Sequence, residues 1–333
     1  MAYKHGVYTS EVPTSVVPAV NTAAGLPVVF GTAPVHLASE RAQSNKPILC
    51  YSYAEAVQQL GYSKDWAKYT LCEVMYSQFA LYNRGPVVFV NVLDPQTHKK
   101  STSSKNVTVT NKVAKVDAPV LLDTLQIKAS TAGSALIAGS DYEAAYDDDG
   151  VLVITLLDDG TATAASNLTL TYDEIDAAAV DADDIIGGIN VSDGSVKGLE
   201  CLNKVFPITG LVPGIVLAPG WSETPTVAAV MKAKASNINS HFKAITLNDV
   251  PTDAVKKYTD VKAWMNQNSY NDTSQVVCWP MVKMGDDVYH MSTHVLGVIA
   301  TVDSNNDDIP YESPSNKSMQ VNSCCLKDGA EVV

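Results

Sequence analysis

The chain has 333 residues, 46% of them hydrophobic and 18% charged, with a formal net charge of −13 and a pI near 4.8. That apolar content excludes a disordered chain, and at roughly 100–200 residues per domain the length allows two or three domains with real cores. No apolar run approaches the roughly 20 residues that span a bilayer, residues 1–10 (MAYKHGVYTS) lack the apolar stretch of a signal peptide, and the acidic balance opposes a phosphate-binding face. The expectation is a soluble chain that binds neither membrane nor nucleic acid. The six cysteines, Cys50, Cys72, Cys201, Cys278, Cys324 and Cys325, include no C-x-x-C pair and read as reduced structural thiols.

Residues 3–20 combine β-branched side chains with Pro13 and Pro18, a mixture that cannot build a helix and is too apolar to lie bare in water. Two readings fit: an extended arm that adds a strand to a neighbouring chain, or an edge strand on the same subunit. Next come three short apolar runs, Leu26–Gly31, Pro47–Tyr51 and Pro86–Leu93, of the kind found in sheets covered on both faces. Between the last two, Ser52 and Glu55 have capping-box spacing and Gly61 fits a helix stop. A second helix, with Leu71, Val74, Met75, Gln78, Phe79 and Tyr82 on one side, is predicted to close at Gly85.

Lys and Arg number 8 against 6 Asp and Glu in residues 1–100, 4 against 16 in 101–195 and 11 against 14 in 196–333. The middle segment thus holds nearly all the net charge, and it has no Trp, Phe, Cys, His or Met. Both shifts at the same two boundaries predict a separately folded insertion over 101–195. Its runs Leu125–Ser130, Gly150–Leu157 and Asn167–Tyr172 alternate or stay apolar, and Asp149-Gly150, Asp159-Gly160 and Asp193-Gly194 are hairpin-turn dipeptides. A small antiparallel β domain is predicted.

After it, strands are expected at Gly214–Ala218, Lys243–Leu247 and Gln275–Lys283, and helices from Thr224-Pro225 to about Asn239, over Asp253–Asn268 and over Ser292–Val302. The fold class is therefore α+β or α/β: a discontinuous α/β domain (21–100 and 196–333), an inserted antiparallel β domain (101–195) and an extended N-terminal arm (1–20).

An α/β frame invites an enzyme reading, and the motifs do not supply one. There is no G-x-G-x-x-G, no Gly-Lys dipeptide for a phosphate loop and no G-x-S-x-G elbow. Gly31-Thr32-Ala33-Pro34 has one glycine and a proline without an N–H, so it reads as a strand-end turn. His290 and His294 have the spacing of two zinc ligands but no evident third, and read as half-buried polar contacts. Asp303, Asn305 and Asp307 match the start of a calcium loop, but Asp308 and Pro314 occupy its glycine and glutamate positions, so an acidic surface loop is expected. Asp147-Asp148-Asp149-Gly150 reads as a solvated hairpin tip, and Cys324-Cys325 as a buried or edge pair of thiols. No catalytic, cofactor or metal site is assigned; an α/β enzyme with an unrecognised active site is the alternative. A binding or adhesion module would rest on the insertion, whose only aromatics are Tyr142, Tyr146 and Tyr172.

Gly6-Val7-Tyr8-Thr9-Ser10-Glu11 resembles the G-V-Y-x-x-E start of contractile tail sheath proteins of myophages and phage-tail-like bacteriocins. Val28 to Ala33, Leu60-Gly61, Tyr82-Asn83-Arg84-Gly85, Val87 to Val92, Gly214 to Gly220 (GIVLAPG), Cys278-Trp279-Pro280, His294 to Asp303 (HVLGVIATVD) and Pro314-Ser315-Asn316 are similar, in order, to that family's later segments. The resemblance covers roughly 1–100 and 196–320. It implies a structural, non-enzymatic subunit without a cofactor, polymerised as stacked hexameric rings around a tail tube. Its arm, through Tyr3, Gly6, Val7, Tyr8 and Glu11, would be exchanged with neighbouring subunits as a β-strand. The implied partners are further copies of itself, the tail tube protein, and baseplate and tail terminator proteins. The implied location is a virion tail or bacteriocin particle assembled in the bacterial cytoplasm. The family's Trp-Gly-x-Arg-Thr-like C-terminal domain, which accepts the arms, has no counterpart before Val333. A fragment with donor arm but no acceptor is therefore expected, monomeric or weakly associated by itself.

Overall fold

The computed structural model describes residues 20–21, 25–130 and 133–332 of a mixed α/β fold. Leu26–Gly31 forms β1, Ile48–Cys50 β2 and Val87–Asn91 β3. Every residue of β1 and β3 is buried, as runs of Val and Phe with no polar face require. Between β2 and β3 lie α1 (Tyr53–Leu60) and α2 (Thr70–Met75). The Ser52 hydroxyl accepts the Glu55 N–H at 3.3 Å, while the Glu55 carboxylate reaches back to the Tyr51 N–H at 2.7 Å. Gly61 ends α1 at φ +72°, where a Cβ would lie 2.3 Å from the Pro34 carbonyl oxygen.

The second helix does not run to Gly85. At Tyr76 α2 widens into a π-helix, Tyr76–Leu81, and Asn83, at φ +51°, makes the left-handed stop. The wider turn re-aims the side chains that follow. Gln78 donates to the Thr293 carbonyl at 2.8 Å, and Tyr82 reaches His294. Arg84–Gly85 instead pairs in parallel with Val20–Asn21.

The inserted segment supplies β4 (Lys99–Thr108), β5 (Val113–Val116), β6 (Gln126–Lys128), β7 (Tyr142–Tyr146), β8 (Leu152–Leu156) and β9 (Asn167–Ile175). They form two three-stranded antiparallel sheets, ordered β5-β8-β7 and β4-β9-β6. Leu152, Ile154 and Leu156 alternate inward and meet Ile127, Leu168, Leu170 and Tyr172 in a core of their own. Gly150 and Gly194 take the positive φ that hairpin turns need. Gly160 does not; it lets the chain pass Asp141, whose Cα would lie 2.8 Å from a Cβ there. On the way back, Val180 and Ile185, the latter in α3 (Ala182–Ile186), join the core of the flanking segments. His36 packs against Tyr69 and Tyr146, with ring centroids 6.1 and 5.4 Å away, and Arg41 lies 3.7 Å from Asp123, so the β unit meets the body through an edge-on ring contact and an ion pair.

The remainder comprises α4 (Leu202–Thr209), β10 (Pro213–Leu217), α5 (Pro225–Ala235), β11 (Ile245–Asp249), α6 (Tyr258–Gln267), β12 (Gln275–Cys278), β13 (Met281–Met284), β14 (Asp287–Tyr289), α7 (Met291–Asn305) and β15 (Ser323–Cys325). The strand expected over Gln275–Lys283 is broken by Pro280, which has no N–H to give the ladder. Its second half joins a separate sheet, β14-β13-β15. Helix α6 begins at Tyr258 rather than Asp253, and α5 ends at Ala235 rather than near Asn239.

The main sheet is ordered β12-β11-β10-β1-β3-β2, parallel throughout except for β2 against β3. Strands β1 and β10, from opposite sides of the insertion, are central neighbours, with Val28 beside Val216 and Val29 beside Leu217. Helix α7 crosses the end of the π-helix so closely that a Cβ on Gly297 would lie 2.3 Å from the Tyr82 ring. Gly297→Ala should therefore cost about 1–3 kcal/mol through overpacking, seen as a lower urea midpoint. The loss should be smaller in a Tyr82→Ala background, where the clash is gone.

Candidate functional site

In open parallel sheets the crevice for a ligand lies beyond the carboxyl ends of the strands where the chain reverses its order, here at β1 and β10. This crevice is filled by the protein itself. The Thr32 N–H donates to the Thr70 hydroxyl at 3.3 Å, the Thr32 hydroxyl to the Lys68 carbonyl at 2.7 Å, and the Ala33 N–H to the Asn91 side-chain oxygen at 3.1 Å. A Cβ at Gly31 would strike the Thr70 hydroxyl at 2.2 Å. The N–H groups of Gly31-Thr32-Ala33-Pro34 that a phosphate would need are committed to the strand-end turn.

Beside this turn lies a cluster of ionisable groups. Glu73 of α2, 1% exposed, accepts the His290 backbone N–H at 2.6 Å and sits 2.8 Å from His290 Nδ1. Asp249, the last residue of β11, accepts the Ser292 N–H at 3.0 Å and its hydroxyl at 2.5 Å, so a buried carboxylate caps the start of α7. Glu223 Oε1 lies 3.9 Å from His290 Nε2, and Lys327 Nζ 4.0 Å from Glu223 Oε2. Burial opposes a charged His290, but Glu73, Asp249 and Glu223 outweigh it and push its pKa up to about 9. Burial raises Asp249 and Glu223 above the usual carboxylate range. The arrangement is an ionic joint between α2, β11 and α7.

His290 and His294 do not share a ligand position. His290 precedes α7, whereas His294 is fully buried rather than half-buried, 3.0 Å from the Tyr82 hydroxyl and edge-on to Tyr289. Burial lowers its pKa to about 4, so the two imidazoles carry different charges at neutral pH. Asp303 is not in a surface loop: it is buried in the last turns of α7, and its carbonyl accepts the N–H groups of Asn306 and Asp308. Asp147, at the tip between β7 and β8, accepts the Asp149 and Val151 N–H groups at 3.2 and 2.9 Å. Among the described residues no group of three His, Cys, Asp or Glu could hold a metal ion, and no helix is long and apolar enough to cross a membrane. All six cysteines are free; Cys325 is buried in β15 and Cys324 exposed. Tyr3, Gly6, Val7, Tyr8 and Glu11 lie outside the described residues.

The Glu73–Asp249–Glu223–His290 cluster is the feature that sequence reading missed; Glu73 and His290 are 217 positions apart and belong to no motif. Removing one partner of a buried ion pair strands the other. Glu73→Ala should accordingly lower stability by about 3 kcal/mol, with an unchanged denaturant slope. Asp158→Asn, which breaks the exposed pair with Lys112, should change it by less than about 1 kcal/mol.

No protein-family model matches the chain. A tail sheath protein of Burkholderia phage BcepMu is 27% identical to it over 317 residues, covering 90% of this chain and 62% of that protein. The chain thus spans about three fifths of the length of the curated relative it matches. Ordered motifs across both flanks and this similarity along nearly the whole chain point the same way: the chain is a homologue of a phage tail sheath protein.

Proposed function

We propose that this chain is the main part of a subunit of a contractile tail sheath, a structural protein with no catalytic role. The observation that carries this reading is the similarity to a phage tail sheath protein over nine-tenths of the chain. The filled crevice at β1 and β10 supports the non-enzymatic part, since the place where an α/β enzyme of this topology would hold its ligand is occupied by Thr70, Glu73 and His290. In this proposal an α/β body (21–100 and 196–333) polymerises as stacked hexameric rings around a tail tube. An arm over residues 1–20 is exchanged between neighbouring subunits through Tyr3, Gly6, Val7, Tyr8 and Glu11. Baseplate and tail terminator proteins bound the polymer in a virion tail or bacteriocin particle assembled in the bacterial cytoplasm.

Contraction would then draw on new contacts between subunits, stored at assembly, with no nucleotide consumed. Rigid bodies joined by strand-like tethers suit that motion, because the bodies can rotate and slide while the rings stay connected. The acidic unit over 101–195, at 4 basic against 16 acidic residues, would face outward, where like charge discourages particles from associating side by side.

Deleting residues 1–12 from the full-length protein, or substituting Tyr8→Pro, should abolish tubes in negative-stain micrographs while leaving the circular dichroism spectrum unchanged. Tubes of ordinary appearance from the deletion would remove the arm from the mechanism.

A further inference from the structure

The joint around His290 does more than fill a crevice. It ties three elements that share no backbone hydrogen-bond ladder: α2 through Glu73, β11 through Asp249, and the first turn of α7 through His290, Ser292 and Thr293. Each carboxylate holds α7 at its N-terminal end, and one imidazole stands among them. Glu73 faces it from α2, Asp249 from β11 and Glu223 from the loop before α5. Behind these, Cys278 of β12 adjoins Asp249, Tyr270 adjoins Asp249 and Glu223, Tyr289 of β14 adjoins Glu73, and Lys327 approaches Glu223 from the segment after β15. Cys278, Tyr270 and Tyr289 are all neutral at physiological pH, because burial raises each above its ordinary value. Lys327 is 59% exposed and lies at the rim. His290, its side chain 13% exposed, is therefore the one cation enclosed among three carboxylates.

We propose that the His290 imidazolium is a proton-operated latch that fastens the start of α7 to α2 and β11, and that its deprotonation releases this end of α7 while the inserted β unit stays folded. Without the proton, Glu73 and Asp249 repel across the first turn of α7 with no buried countercharge. The rest of α7 keeps fixings that do not use His290, the Tyr82 hydroxyl 3.0 Å from His294 Nδ1 and the Tyr82 ring against Gly297, so the release is confined to the first turn. The β unit, with a separate core, has no group in the joint. The direction in pH follows from the shifts. A histidine raised from 6.5 to about 9 stabilises the fold fully below 6.5 and loses that contribution as pH rises through 9. Asp249 and Glu223, raised by burial, are disfavoured in their charged forms, which adds a penalty of the same sign as pH rises. The latch is closed in mild acid and at neutrality and opens in alkali, whatever the assembled role of the chain.

The test pairs histidine NMR titration with hydrogen exchange of the whole chain from pH 6 to 10.5, corrected for the intrinsic pH dependence of exchange. His290 should titrate near 9 while His294 stays neutral above pH 5. Protection of the amides of His290, Ser292 and Thr293 should fall by roughly tenfold per pH unit between about 6.5 and 9 and level off above, with amides 152–156 of the β unit unchanged. His290→Asn, uncharged at every pH, should show low α7 protection throughout and no step. A His290 midpoint below 7, α7 protection that is flat across the range, or the same step in His290→Asn would each overturn the latch. Should His290→Asn fail to fold, the two wild-type measurements still decide it.

Discussion

Val28 and Val29 lie in register with Val216 and Leu217, and the rest of the body is arranged around that pairing. The two strands are separated in sequence by the whole inserted unit, so closing them orders a long loop before any reward arrives. The insertion lowers that cost by folding on itself. Its strands bury Leu152, Ile154, Leu168 and Leu170 in a separate core, and the chain then re-enters through Val180 and Ile185, which pack with the body. Once β10 is beside β1, the strands β11 and β12 extend the sheet on one side while β3 and β2 already extend it on the other. Both central strands are buried on both faces, which fixes where the helices must lie.

That topology creates a crevice, and the protein's own side chains close it. Where a dinucleotide-binding protein leaves backbone N–H groups free, Thr32, Thr70 and Asn91 consume them here. Where a catalytic site would expose a poised carboxylate, Glu73 and Asp249 spend their oxygens on the first turn of α7. Buried charge used this way adds orientation more than net stability, because desolvation cancels much of the attraction.

Much of the body was legible in sequence. Val- and Phe-rich runs marked β1, β3 and β10, Ser52 with Glu55 marked the start of α1, and the alternation of Leu152, Ile154 and Leu156 marked a half-buried strand. The failures have physical reasons. The π-helix at Tyr76–Leu81 has the composition of an ordinary helix and is set by what Gln78 and Tyr82 touch, so Asn83 rather than Gly85 makes the stop. Helix α4 was missed because Pro207 lies inside it. Gly160 follows an aspartate as a hairpin glycine would, yet it serves a close passage by Asp141. The ionic joint was invisible because charged residues read locally as solvated, and only the fold brings Glu73, Asp249 and His290 together. The segments that resemble sheath proteins fall in β1, β3, β10 and α7 and at the turns that end several elements.

The wall-forming role proposed for this fold is tested most directly by a cryo-EM reconstruction of the polymer made by the full-length protein. The expected result is a helical tube in whose wall the body over 21–100 and 196–333 fits, with residues 101–195 on the outer surface. Density that cannot take this body, or that places residues 101–195 against the inner tube, would contradict it.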